Sequence, residues 1–260
     1  MGRAASVVVA LVFATACATP APGPTPLPAD DPRPGALIAA WIDGTRDRRS
    51  LRCRVRLALD GRDGGVRVRA KQVLVLERPA RLRVEVKGFL NQTAALIVTD
   101  GERFEVFRAG DGSYDAGPVD PGLLWREAQL ALTPLEVVDL LLGAPTAMRA
   151  LAPAGAVWTR PDRIRMDLVD ASGIVRRRAT FDTQGLLRQL EVLGAGGDWL
   201  WRASFDAYSE ISGAVFAHRI ALDLAAGSSR AEISLRDVEL NPALPADIFR
   251  LRAAATTGAP

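Results

Sequence analysis

Cys17 has the clearest chemistry of any residue in this sequence, because it ends a segment built like an export leader. Arg3 supplies a basic start, residues 7–13 form an apolar run, and the small residues 14–16 precede the cysteine. The run is too short to span a bilayer, and small residues suit a signal-peptidase site. This order is typical of a bacterial lipobox, whose cysteine thiol is acylated and becomes the first mature residue. An uncleaved anchor or a plain secretory signal is the alternative.

Acylation of Cys17 would hold the chain at a membrane surface. Each buried methylene contributes about 0.8 kcal/mol, and more than one acyl chain makes the anchoring stable. Ala18 follows the cysteine. In the Gram-negative lipoproteins that this leader resembles, Asp at that position tends to retain the protein in the inner membrane. We therefore expect a lipid-anchored protein of the outer membrane that faces the periplasm.

Few other side chains are arranged for catalysis or metal binding. His218 is the single histidine of the sequence, and it stands between Phe216 and Ile220 in a strand-like segment, which favours a structural role. The sequence contains no Gly-x-Ser-x-Gly elbow, Walker loop or Cys-x-x-Cys motif. If Cys17 is acylated, Cys53 has no partner for a disulfide. We expect no enzyme activity, no metal site and no cofactor.

The chain is basic, but its composition and its export signal argue against a nucleic-acid partner. The formal net charge is +3 and the pI about 9.3, but only two of the 33 basic residues, Lys71 and Lys87, are lysines. An excess of arginine beside abundant Ala, Gly and Pro indicates a genomic coding bias. An export signal also removes the protein from nucleic acid.

Periodicity predicts a β-rich domain with two helices. Helical spacing follows Pro34, and a second helix has Thr133 as N-cap and Glu136 three residues later, with Gly143 at its end. The other segments alternate apolar and polar residues between Asp-Gly and Gly-rich turns, which indicates half-buried antiparallel strands. We expect about ten strands in a single large curved antiparallel sheet, an incomplete β-barrel covered by short helices.

The expected organisation has four parts. Residues 1–16 are a lipoprotein signal peptide and residues 17–33 a proline-rich tether. Residues 34–252 form the half-barrel domain, and residues 253–260 are a flexible tail. Nothing suggests a second domain, and we expect a monomer.

Several short patterns resemble the LolA/LolB superfamily of periplasmic lipoprotein carriers and receptors, and the lipobox makes the anchored LolB branch the nearer relative. The resemblance extends from about residue 37 to residue 251. The segments that carry it are 79–85, 88–96, 132–145, 240–242 and 249–251.

The resemblance implies that the protein receives acylated lipoproteins from a LolA-like periplasmic carrier and inserts them into the outer membrane. In LolB-like receptors an exposed apolar residue on one loop contacts lipid, and Leu90 stands at the matching place. Phe89 and Asn91 replace a Pro and a Gly of the family pattern, yet Phe89 and Leu90 would still form an apolar tip. The alternative places both side chains inside the barrel mouth.

Acyl chains would lie against the dry inner face of the sheet, where about 25 cal/mol is gained per Å² of apolar surface removed from water. The same residues could instead fill a closed core. A structural or protein-interaction lipoprotein of the cell envelope, without transfer activity, is then the alternative function. The predicted lining residues are Val84, Val86, Leu96, Val98, Ile164, Met166, Leu168, Trp199 and Trp201.

Overall fold

The computed structural model describes residues 23–61, 67–143, 148, 150–226 and 229–251. Cys17, the leader and the tail predicted for residues 253–260 lie outside the described residues. The helices are α1 (Arg33–Thr45), α2 (Leu123–Ala128) and α3 (Pro134–Leu141). The strands are β1 (Thr25–Pro26), β2 (Ser50–Gly61), β3 (Arg67–Glu77), β4 (Arg81–Lys87), β5 (Thr93–Thr99), β6 (Arg103–Arg108), β7 (Ser113–Pro118), β8 (Ala152–Arg160), β9 (Arg163–Val169), β10 (Val175–Asp182), β11 (Leu187–Leu193), β12 (Trp199–Ile211), β13 (Ala214–Leu224) and β14 (Ser229–Leu240).

All the described strands belong to one antiparallel sheet of fourteen, which confirms the predicted fold class, although about ten strands were expected. The spatial order is β1-β8-β9-β10-β11-β12-β13-β14-β2-β3-β4-β5-β6-β7. Two meanders, β2 to β7 and β8 to β14, are joined where β14 pairs with β2. The sheet is not closed, because β1 and β7 remain as separate edges.

This strand order explains why the helices cover one face of the sheet. Strands β7 and β8 follow each other along the chain but lie near opposite edges of the sheet. The connection between them contains α2 and α3, and it must cross a face of the sheet to reach the far edge. Val138 and Leu142 of this connection are fully buried in the main core, and Ile38 of α1 is buried in the same core.

Both helices predicted from the sequence are present. Pro34 lies in the first turn of α1, where its missing N–H costs no hydrogen bond. Thr133 caps α3 in a capping box: its hydroxyl accepts from the Glu136 backbone, and the Glu136 carboxylate accepts from the Thr133 backbone. The short helix α2 was not predicted, because six residues give too little periodicity to detect.

Part of the predicted tether is docked onto the sheet. Thr25 and Pro26 pair with the edge of β8, and Leu27 behind them is buried. The Leu27 amide donates to the Ala156 carbonyl over 2.9 Å. The stretch predicted as a tether therefore contains a short edge strand at these residues. A proline is compatible with an edge strand, where its missing donor interrupts no ladder.

A second, smaller apolar cluster lies on the outer face of the sheet. Val98 and Phe249 are buried there, and Leu96 packs beside them. Within β4 and β5, Val84 is opposite Ile97 whereas Val98 is opposite Arg83, so alternation puts Val98 and Val84 on opposite faces. The prediction that Leu96 and Val98 line the inner face is wrong. The 249–251 segment forms no strand and instead covers this outer cluster.

Candidate functional site

A cavity of about 540 Å³ lies between α1, the end of α3 and the β12–β13 hairpin. These three elements meet here because α3 ends where the β12–β13 hairpin turns. The apolar side chains that line the cavity come from both helices and from the sheet. They include Trp41, Leu140, Leu141, Phe205, Ile211 and Phe216. The volume falls within the range of about 300–1,000 Å³ that is usual for pockets holding small ligands.

Arg48 is a buried cation in the wall of this cavity, beside acidic and neutral polar side chains. Its Nη1 donates to the Leu142 carbonyl over 2.9 Å and its Nη2 to the Val215 carbonyl over 2.6 Å. The guanidinium lies 5.6 Å from the centre of the Phe216 ring. The residue is only 8% exposed, and the buried Nε has no hydrogen-bond partner among the described residues. Burial lowers the pKa of Arg48.

Helix α3 is held by side chains from α1, from β12 and from the segment between β3 and β4. Trp41 Nε1 donates to the Gly143 carbonyl over 3.2 Å just beyond the end of the helix. At the start of α3, Trp201 Nε1 donates to Glu136 Oε1 over 3.2 Å. Between these contacts Asp139 forms an ion pair with Arg78. The end of α3 and its carboxylates thus have partners that hold the helix in place.

The loop between β4 and β5 presents an apolar tip, which we define as Phe89 and Leu90. Phe89 is 99% exposed and Leu90 80%. The loop itself is ordered by hydrogen bonds: the Gly88 amide donates to the Gln92 carbonyl over 2.8 Å, and the Leu90 amide donates to Gln92 Oε1 over 2.8 Å. Asn91 takes a left-handed conformation, with φ of 63°. Neither tip residue is tucked into the barrel mouth.

The predicted lining residues do not line the cavity. Ile164, Met166, Leu168 and Trp201 are buried inside the packed core of the inner face, and Val84 is partly buried against the same core. Val86 and Trp199 also lie outside the lining of the cavity. Val86 is opposite Ala95 in the β4–β5 register. The Trp199 ring lies 5.2 Å from the Arg202 guanidinium. Sequence alternation identified most of the inner face but not the place where the packing leaves room.

Leu96 contributes to a different depression, of about 950 Å³, on the outer face. The neighbouring apolar side chains come from β6, β7 and the C-terminal segment. They are Phe107, Tyr114, Ile248 and Leu251. Neither this depression nor the role of Arg48 could be found from the sequence, since each depends on segments that are far apart along the chain.

The apolar tip and the 540 Å³ cavity lie at opposite ends of the strands. Leu82 of β4 pairs with Leu76, which in turn pairs with Leu51, close to Arg48 and the cavity. Lys87, at the other end of β4, directly precedes the tip loop. Seven residues of strand extend over about 20 Å, so one molecule could not present both features at a single point.

The single histidine of the sequence is held by two hydrogen bonds. The Leu235 carbonyl lies 3.2 Å from His218 Nδ1 and can only accept, so Nδ1 carries the proton. Nε2 then accepts from the Ser209 hydroxyl over 2.8 Å. Within the described ranges, no three acidic, histidine or cysteine side chains are grouped to hold a metal ion. None of the described helices has the length and apolar character needed to cross a membrane.

Solved structures with the same architecture include a LolA superfamily protein from Nitrosomonas europaea, with a TM-score of 0.54 and 11% identity over 82% of this chain and 97% of that one. A DUF1329 family protein from Desulfovibrio piger has a TM-score of 0.56 and 8% identity, covering 85% and 98% of the two chains. A domain assigned to outer-membrane lipoprotein sorting, from Vibrio parahaemolyticus, has a TM-score of 0.50 and 8% identity, covering 82% and 94%.

These similarities establish the fold. No protein-family model and no curated protein sequence matches the chain. The chain therefore shares the LolA-type architecture predicted from its sequence, with identities too low to carry over a function from any of these proteins.

Proposed function

We propose that this protein is a lipid-anchored lipoprotein of the outer membrane that binds acyl chains and receives lipoproteins for insertion into that membrane. The proposal includes no catalytic step. The observation that carries it is the apolar tip, because both large side chains of an ordered loop are turned into solvent. The LolA-type fold and the lipobox at Cys17 support it.

Exposure of the apolar tip has a physical cost that a bilayer would remove. Burial gains about 25 cal/mol for each Å² of apolar surface taken out of water. Contiguous exposed apolar surface usually marks an interaction site. The hydrogen bonds of the Gly88 and Leu90 amides already order the loop, so little conformational entropy remains to be lost when the tip enters the membrane.

The 540 Å³ cavity is the proposed acyl site. Its wall combines apolar side chains with polar ones such as Asp43, Asp47 and Tyr208, and it offers one buried cation, Arg48, whose Nε is unused. A fatty acyl chain could bury its methylenes against Trp41 and Phe205, with a polar group at the guanidinium. The proposed donor of acylated cargo is a LolA-like carrier, and the proposed receiver acts as a monomer.

A fluorescent fatty acid binding assay tests the acyl site. Ala40 lines the cavity from the exposed side of α1, whereas its exposed neighbour Ala39 does not. We expect Ala40→Phe to weaken binding about tenfold, because the added ring occupies the space of the ligand, and Ala39→Phe to bind as the unmodified chain does. Binding that survives Ala40→Phe but is lost in Leu96→Glu would place the ligand in the outer depression instead.

Delivery of an acylated cargo to vesicles tests the apolar tip. We expect Leu90→Glu to reduce delivery strongly, since a charged residue would have to enter the acyl region of the bilayer. Ile174→Glu changes an exposed apolar residue on the β9–β10 turn and serves as the control. Equal delivery by all three proteins would contradict the proposed role of the tip. Mass spectrometry of the mature chain checks the anchor, where an unmodified Cys17 would contradict acylation.

The packed inner face favours a second candidate, an envelope lipoprotein that recognises a protein partner and carries no lipid. Met166 and Leu168 have no exposed surface and belong to the packed core of the inner face. Absence of saturable fatty acid binding, together with unaltered vesicle delivery in Leu90→Glu, would support this alternative.

A further inference from the structure

Basic side chains form a cross-strand row on the outer face of the sheet, beside the apolar tip. Arg56 of β2 is directly opposite Lys71 of β3, and Lys71 is directly opposite Lys87 of β4. On the other side of β2, Arg54 is directly opposite Arg236 of β14. We call these five residues the basic row. Like charges placed directly opposite each other destabilise a sheet, so the row carries an electrostatic cost in the free protein.

Acidic neighbours neutralise only part of this charge. Lys87 forms an ion pair with Glu85 over 2.5 Å, and Arg54 pairs with Asp237. Arg56, Lys71 and Arg236 are exposed and have no ion-pair partner among the described residues. Three positive charges are therefore available to an external anion.

The basic row surrounds a depression of about 320 Å³. Its wall contains all five basic residues together with Asn91, which belongs to the tip loop. The depression and the apolar tip are therefore adjacent, since only Gly88 separates Lys87 from Phe89 along the chain.

The distance between the basic row and the apolar tip matches the thickness of the headgroup layer of a bilayer. Phe89 follows Lys87 by two residues, which can separate the two by at most about 7 Å. The headgroup layer of a bilayer is about 5–8 Å thick on each side of the hydrocarbon. When the side chains of the tip reach the hydrocarbon boundary, Lys87 and its neighbours in the row lie at the depth of the lipid phosphates.

We propose that the basic row binds the phosphate of an anionic phospholipid headgroup, and so orients the protein with the apolar tip in the bilayer. The inference rests on the proposed function in one respect, namely that the tip meets a membrane. A bound phosphate would relieve the repulsion between Arg56, Lys71 and Lys87. Each basic residue near an anionic surface strengthens binding about fivefold, the equivalent of about 1 kcal/mol.

Vesicle co-sedimentation of the full chain tests this inference. Every protein carries Cys17→Ser, so that no acyl group contributes and all variants share the same leader. The vesicles consist of phosphatidylcholine alone or of phosphatidylcholine with phosphatidylglycerol. We expect the parent chain to bind the anionic vesicles at least tenfold more tightly, and this preference to weaken at high salt.

The double variant Arg56→Glu/Lys71→Glu should lose the preference for phosphatidylglycerol. A matched control, Arg103→Glu/Arg160→Glu, makes the same change of charge at exposed positions away from the depression, and it should keep most of the preference. Circular dichroism of each variant establishes that it is folded. An equal loss in both double variants would overturn the inference, because net charge and not the depression would then govern binding.

The tip variant Leu90→Glu separates this inference from the proposed function. If it loses binding to both kinds of vesicle while Arg56→Glu/Lys71→Glu matches the parent chain, the basic row is not a lipid site and the role of the tip stands. If Leu90→Glu keeps the phosphatidylglycerol preference and the double variant loses it, the basic row is supported and the role of the tip fails. Indifference of the parent chain to phosphatidylglycerol would also overturn the inference and favour an acidic protein partner.

Discussion

The guanidinium of Arg48 donates to the carbonyl of Leu142, the C-cap residue of α3, over 2.9 Å. The two residues are far apart along the chain, and their contact joins the segment before β2 to the end of the helix on the inner face. A helix leaves its last carbonyls without partners inside the helix, and Arg48 supplies one of the missing donors.

Replacement of Arg48 by Met should therefore loosen α3. A hydrogen bond to a charged group contributes about 1.5–3 kcal/mol, and Arg48 makes two, offset by the cost of burying its charge. We expect a net loss of about 2 kcal/mol in the free energy of unfolding, measured by urea denaturation. The free energy of unfolding of Arg48→Lys should lie between those of the parent and of Arg48→Met. An Arg48→Met protein more stable than the parent would show that desolvation of the cation outweighs its hydrogen bonds.

Gly143 should not tolerate a side chain. Its φ is +63°, a conformation that costs an L-residue about 1 kcal/mol, and an added Cβ would lie 3.2 Å from Arg48 Nη1. Gly143→Ala should lower the free energy of unfolding by more than 1 kcal/mol, because backbone strain and displacement of the guanidinium add together. Gly155→Ala is the control, since its Cβ would meet open space. Equal stability of the two variants would contradict this explanation.

The capping box at the start of α3 should contribute measurably to stability. Removal of the Thr133 hydroxyl in Thr133→Ala leaves the Glu136 amide without its acceptor and should cost about 1 kcal/mol in thermal or urea unfolding. Thr133→Ser keeps the oxygen and should retain most of that stability. If serine and alanine destabilise equally, the methyl packing of Thr133 matters more than its hydrogen bond.

Cys53 should make the protein less stable at alkaline pH. Burial raises the pKa of its thiol from 9.0 to about 12. Between these values the unfolded chain releases the proton while the folded chain keeps it, so stability is complete below pH 9 and falls as the pH rises toward 12. The fall should approach about 1.4 kcal/mol per pH unit.

The Cys53→Ala variant isolates this effect from the other groups that titrate at high pH. Between pH 8 and pH 10 the parent should lose about 1.4 kcal/mol of unfolding free energy relative to Cys53→Ala, the effect of one thiol that ionises only in the unfolded chain. A constant difference would mean that the thiol reaches solvent in the folded protein.

Local sequence was sufficient for the elements whose determinants lie close together. The alternation in β9 and the capping residues Thr133 and Glu136 predicted a strand and a helix that the structure contains. The exposure of Phe89 and Leu90 remained open between two alternatives, because a loop sequence does not reveal which neighbours surround it. The same limit applied to Leu96 and Val98, whose face is covered by the distant Phe249.

The sequence by itself determined the β-rich class of this protein and its two longer helices, since each depends on residues within a few positions of one another. Only the tertiary structure decided where the packing leaves a cavity and where basic side chains lie next to one another. The cavity near Arg48 forms because β7 and β8 lie near opposite edges, so that α3 crosses the inner face. The basic row forms because register aligns Arg56, Lys71 and Lys87 across three strands, and such an alignment exists only once the strands have paired.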